Sequence, residues 1–121
     1  MSVALPWLPT AASEVGVPQF DYYANPNPQS RDWAPYIVDL QHEMLSALST
    51  RIMAPLVMIE PPNEPTIQRL NPVLPIEDQE YFLSTAELAS VPLKELSACR
   101  GNLAEYRGEL LAAVDLLITA V

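Results

Sequence analysis

A mainly β domain closed by one C-terminal α-helix is the fold class that this chain predicts, on three observations. Thirteen prolines against three glycines cut the chain into short elements, because proline fixes φ, lacks an amide donor and is kept to turns, strand edges and first helical turns. Between the breaks stand short runs rich in β-branched and aromatic residues, the pattern of strands. Only the stretch after Asn102 carries a helical period. At 121 residues the chain has room for one core and not for two.

The elements follow in order. Residues 1–18 hold Pro6, Pro9, Pro18 and Trp7, with no basic residue ahead of the apolar patch as a secretory signal requires. They read as an N-terminal extension, either a disordered tail or sequence ahead of a true start near Val17, and the domain itself as 19–121. Phe20 and Tyr22 alternate against Asp21, and the turn-forming Asn25-Pro26-Asn27-Pro28 separates this strand from Tyr36-Ile37-Val38-Asp39-Leu40. The nearly continuous apolar run 51–59 suits a strand covered on both faces, with Pro55 at a bulge or an edge. Glu60–Pro65 is a break. Ile67–Leu70, Val73–Ile76 and Glu80–Leu83 are short enough for a small secondary sheet, with Glu77-Asp78 as a polar tip. Ala89-Ser90-Val91-Pro92 ends the β region, Pro92 being placed to open a short helical turn. In the helix, Leu103, Leu110, Leu111, Val114, Leu117 and Ile118 share one face, while Glu105, Glu109 and Asp115 lie elsewhere. Asn102 can cap the first turn, with Glu105 positioned to reach back to it.

Composition narrows the function. A net charge of −9 repels a phosphate backbone, so nucleic acid is a poor partner. No window approaches the roughly 18 apolar residues of a membrane span. The single Cys99 excludes an internal disulfide and fits a reducing, cytoplasmic setting.

Catalytic constellations are weak. His42 lies between Asp39 and Glu43, but it is the one histidine of the chain and reads as a surface residue rather than a general base. Glu77, Asp78 and Glu80 lack the glycine and oxygen spacing of a calcium loop and read as a solvated turn. Cys99, ahead of the helix, reads as an ordinary, partly buried thiol. The three glycines form no phosphate cradle. No cofactor or metal is expected, and no catalytic residue.

Several segments together resemble one family. Gln19-Phe20-x-Tyr22-x-x-Asn25, Tyr36-Ile37-Val38-Asp39-Leu40-Gln41, Arg51-Ile52-Met53-Ala54-Pro55-Leu56, Ala89-Ser90-Val91-Pro92 and the C-terminal helix resemble, in order and spacing, the CcdB-like toxins of type II toxin–antitoxin systems. The resemblance covers residues 19–121. It implies an SH3-like barrel of antiparallel strands (the CcdB/MazF type) with a small β wing, a two-fold homodimer, and a non-enzymatic inhibitor. Such toxins serve plasmid maintenance. They bind the A subunit of DNA gyrase, trap that topoisomerase on cleaved DNA, and are neutralised by a CcdA-like antitoxin.

The family's gyrase contacts map onto Met44 and Leu45 after the second strand, and onto Asp115, Ile118, Thr119, Ala120 and Val121 at the helix end. The same apolar side chains serve equally to close the core or the dimer seam. The helix end departs from the family: toxins of this kind finish with an aromatic residue and Trp-Gly-Ile, and Thr119 stands at the tryptophan. An Asn usual on the helix is Asp115 here. An indole stacked on a guanidinium commonly anchors an interface with about 2 kcal/mol or more, so its loss weakens binding roughly thirtyfold. The resemblance therefore leaves three readings: a gyrase-directed toxin, a CcdB-like protein that keeps antitoxin binding without poisoning, and an endoribonuclease like MazF and Kid. The third needs a basic groove and an acid–base pair.

Overall fold

A computed structural model describes residues 18–119. The expected extension, apart from Pro18, lies outside the described residues, as do Ala120 and Val121. The described residues form seven strands, β1 (Asp21–Ala24), β2 (Tyr36–Asp39), β3 (Thr50–Met58), β4 (Val73–Ile76), β5 (Gln79–Leu83), β6 (Ala89–Pro92) and β7 (Gly101–Asn102), followed by helix α1 (Arg107–Thr119). All pairings are antiparallel, in the order β4-β5-β3-β2-β1-β7, with β6 also on β3. The sheet curls into a half-barrel closed by α1, and the β4–β5 hairpin is its wing; this is the mainly β, barrel-type fold that the sequence led us to expect.

β3 is the pivot. One of its edges pairs with β2 over Met53–Leu56, while the other takes β6 over Thr50–Met53 and β5 over Leu56–Met58. Pro55 falls between those two partners. Its carbonyl accepts from Ser84 N at 2.9 Å, and since N–H and C=O of one strand residue point to the same side, the missing amide faces the gap where neither partner asks for it. Pro55 is thus neither at a bulge nor on an edge strand, as expected from the sequence, but inside the central strand at a change of neighbour. Pro75 and Pro92 follow the same logic. Each lies at a position whose backbone faces outward from a sheet edge, where a missing donor blunts pairing with another chain.

The sheet has a core on each face. Val38, Leu40, Ala54 and Leu56 meet Phe20, Leu74, Ile76, Tyr81, Leu83, Leu103, Leu110 and Ala113 under α1. Residues of opposite parity, Tyr23, Ile37 and Met53, form a smaller cluster capped by Val91 and Leu96. The expectation of a β3 covered on both faces holds. A tyrosine ladder runs beside the larger core, with Tyr22, Tyr36 and Tyr81 edge to face at 5.3 and 5.6 Å. Gly101 lies against it: a Cβ there would stand 2.7 Å from the Tyr22 ring.

Several expectations are corrected. Ile67–Leu70 is a turn, not a strand; Leu70 and Asn71 amides both return to the Ile67 carbonyl, at 3.1 and 2.7 Å, so this proline-bounded stretch satisfies itself locally. The wing hairpin joins the main sheet through β5 rather than forming a second one. The β region continues past Pro92, since β7 pairs with β1. Pro92 does precede a 3₁₀ turn, Leu93–Glu95. Phe20 lies outside the strand with φ 74°, and within it Asp21 and Tyr23, not Tyr22, are the buried residues. The helix begins at Arg107 after a 3₁₀ turn, Ala104–Tyr106. Asn102 Oδ1 caps that turn by accepting from Ala104 N at 2.8 Å; Glu105 does not reach back. Leu110 and Ala113 are the buried residues of α1, Leu111, Val114 and Leu117 are half-buried, and Ile118 is exposed.

Candidate functional site

The β2–β3 connection, residues 40–49, carries the most exposed run of apolar side chains. Its 3₁₀ turn, Glu43–Leu45, is opened by His42, whose Nδ1 accepts from Met44 N at 3.0 Å. The imidazole is a cap. The Asp39–His42 pair that the spacing permitted does not form, because Asp39 is turned the other way. Met44, Leu45 and Leu48 are 56, 49 and 51% exposed, an unusual display for a turn of this size. Sequence reasoning singled out Met44 and Leu45 through the family resemblance and missed Leu48.

Beneath this knuckle lies a buried polar network instead of an apolar core. Arg51 and Asp39 form an ion pair at 2.8 Å, both fully buried. Arg51 Nη2 also donates to Gln41 O at 2.9 Å, and Asp39 Oδ1 accepts from Gln41 N at 2.9 Å. The buried Gln41 side chain then reaches the loop, accepting from Ile52 N at 3.0 Å and donating to Leu45 O at 3.2 Å and Thr50 O at 3.4 Å. Burial pushes the Asp39 carboxyl above its ordinary value despite the opposing Arg51 hydrogen bond, Gln41 amide and Arg51 charge. The cause is desolvation, which disfavours the charged form of a carboxyl held out of water.

The second expected patch is the helix end. Asp115, Ile118 and Thr119 lie one turn apart or less on α1, all exposed, with Ile118 70% exposed. Thr119 Oγ1 donates to Asp115 O at 2.7 Å, turning its hydroxyl back onto the helix. Ile118 does not close the core of this chain. Among the described residues, no hydrogen bond or ion pair links the Glu43–Leu45 turn to Asp115, Ile118 or Thr119; α1 packs through Leu110 and Ala113 on the larger core.

The remaining candidates stand apart from both patches. Cys99 is exposed rather than partly buried; its Sγ bonds Gly101 O at 3.2 Å, and desolvation raises its pKa. It stands before β7, not at a helix start. Glu77 and Asp78 make the tight β4–β5 turn, Glu77 with φ 55°. Among the described residues, no group of three His, Cys, Asp or Glu side chains can hold a metal ion, and no helix is long and apolar enough to cross a membrane.

Comparison with curated proteins finds no match. A family model does match: the one described as CcdB protein, over residues 19–120. With that span covering the whole sheet, the knuckle and α1, the chain belongs to the CcdB family.

Proposed function

We propose that this chain is the toxin of a type II toxin–antitoxin pair, a non-enzymatic protein ligand that engages the A subunit of DNA gyrase as a cytoplasmic homodimer and is neutralised by a CcdA-like antitoxin. Family membership supports the toxin class. The observation that carries the partner reading is the knuckle: three half-exposed apolar side chains on a turn held by buried polar bonds, at the positions where the family places two of its gyrase contacts. A monomeric surface gains nothing from holding such side chains in water, whereas a rigid apolar tip suits insertion into a partner. Leu48 extends the contact set of Met44, Leu45, Asp115, Ile118, Thr119, Ala120 and Val121. A two-fold dimer presents each patch twice to a target that is itself two-fold.

Charge argues against the RNA-cleaving reading. Arg51 is consumed in the buried pair, leaving Arg31, Arg69, Lys94, Arg100 and Arg107 as the exposed cations, carried on separate segments of the chain and outnumbered by acidic residues. A second reading, antitoxin binding without poisoning, is favoured by Thr119, whose hydroxyl folds back on Asp115 where the family has an indole. DNA cleavage with purified gyrase of the same host separates the readings. Cleaved complexes formed by the wild-type protein support the toxin; cleavage only by Thr119→Trp assigns the second reading; degraded transcripts without DNA breaks return the ribonuclease. The extension at 1–18 is outside this function: deleting residues 1–16 is expected to leave dimerisation and melting temperature unchanged, and a clear fall in either measured quantity contradicts that.

A further inference from the structure

Resting on the reading of the knuckle as a contact surface, we infer that Gln41 is its positioning residue, a side chain that couples the buried Asp39–Arg51 pair to the placement of Met44 and Leu45. No residue of the Glu43–Leu45 turn is buried, so apolar packing does not fix it. The turn's internal bonds, Leu45 N to His42 O at 3.0 Å, Ser46 N to Glu43 O at 2.9 Å and Leu48 N to Leu45 O at 3.0 Å, shape it but do not anchor it to the sheet.

The anchor is Gln41. Its backbone is held on both sides, amide to Asp39 Oδ1 and carbonyl from Arg51 Nη2. Its side-chain oxygen takes the Ile52 amide, and its side-chain amide bridges Leu45 O and Thr50 O across the mouth of the loop. A primary amide is the group that this position requires, because it alone supplies an acceptor on one side and two donors on the other from a planar end. A well-held neighbour shell of this kind keeps a contact residue in place without touching the partner.

Two variants test it. Gln41→Ala removes every side-chain bond; Gln41→Glu keeps the acceptor for Ile52 and loses both donors, placing carboxylate oxygen against two carbonyls. Amide hydrogen exchange on the folded full chain is read first. In Gln41→Glu, exchange at Met44, Leu45, Ser46 and Leu48 is expected to accelerate about tenfold or more while β3 amides keep their protection. Unchanged exchange in the knuckle, or equal acceleration across the sheet, overturns the inference whatever the partner is.

Affinity for the gyrase A subunit is read second, as a cycle with Met44→Ala/Leu45→Ala. A Gln41→Glu loss of roughly tenfold that largely disappears in the truncated background supports positioning, since residues acting through one another are not additive. Equal losses in both backgrounds overturn it. A wild-type protein that binds no gyrase, yet loosens at the knuckle in Gln41→Glu, refutes the partner reading and leaves the positioning role standing.

Discussion

The two faces of the sheet are built on different physics. Under α1, Leu56, Leu74, Leu83 and Leu110 make a continuous apolar core that needs only to exclude water. On the opposite face, Tyr23, Ile37 and Met53 give way along the same strands to Asp39, Gln41 and Arg51, which must be satisfied group by group. The first arrangement supplies stability, roughly in proportion to the apolar area removed from water. The second adds little net energy, because desolvation offsets attraction, but hydrogen bonds have direction and an apolar cluster does not. The polar half therefore sits where geometry matters, under a turn that displays Met44, Leu45 and Leu48 together.

That contrast can be broken from either side. The largest effect is expected from Arg51→Ala, which leaves the Asp39 carboxylate buried without its ion-pair partner; a loss of about 3–5 kcal/mol in urea denaturation is expected. Replacing both partners, as Asp39→Leu with Arg51→Met, removes the uncompensated charge and should cost less than Arg51→Ala, the remaining loss coming from the Gln41 amide and carbonyl that the pair satisfies, while loosening the knuckle. Equal damage from the single and double changes would contradict the division between stability and placement.

Leu110→Ala under the helix is expected to cost about 2–5 kcal/mol through lost burial and a cavity, with knuckle exchange unchanged once the lower global stability is allowed for. A medium effect should appear at alkaline pH. Burial raises the pKa of Tyr22, Tyr23 and Tyr81, most strongly for Tyr23. A group whose folded pKa exceeds its unfolded value contributes stability that is present below the unfolded value, about 10 for tyrosine, and lost as pH rises through the folded one. Stability should therefore fall above about pH 10, and more gently in Tyr23→Phe. The smallest change is Glu77→Gly, which relieves a non-glycine residue at φ 55° and is expected to stabilise by up to about 1 kcal/mol, with no effect at the knuckle.

Much of the fold was legible because prolines and apolar runs speak locally. Pro26, Pro28, Pro61, Pro62 and Pro65 mark the long connections, and the 36–40 and 51–59 runs are β2 and β3. What escaped depends on register. Asp39 and Arg51 meet because Asp39 pairs with Met53, which puts Arg51 diagonally across; an eight-residue stretch between Gln41 and Thr50 does not fix that pairing in advance. A charged residue of each sign beside apolar strand residues was the available signal. Pro55 misled for a related reason, since only the sheet order reveals the gap between β5 and β6. For the site, Met44 and Leu45 came from resemblance alone. Leu48, one turn further on, carried no signal until its exposure was seen, and Ile118, placed on the buried face by its period, proved to lie beyond the end of the docked surface.

The proposed role of the knuckle as a contact surface for the gyrase A subunit is tested most directly by calorimetry of the purified protein with that subunit, with Met44→Asp/Leu45→Asp as the comparison. Binding by the wild-type protein that the paired substitution abolishes, with melting temperature and oligomeric state unchanged, is the expected result. Binding of equal strength by both proteins, or by neither, would contradict the claim.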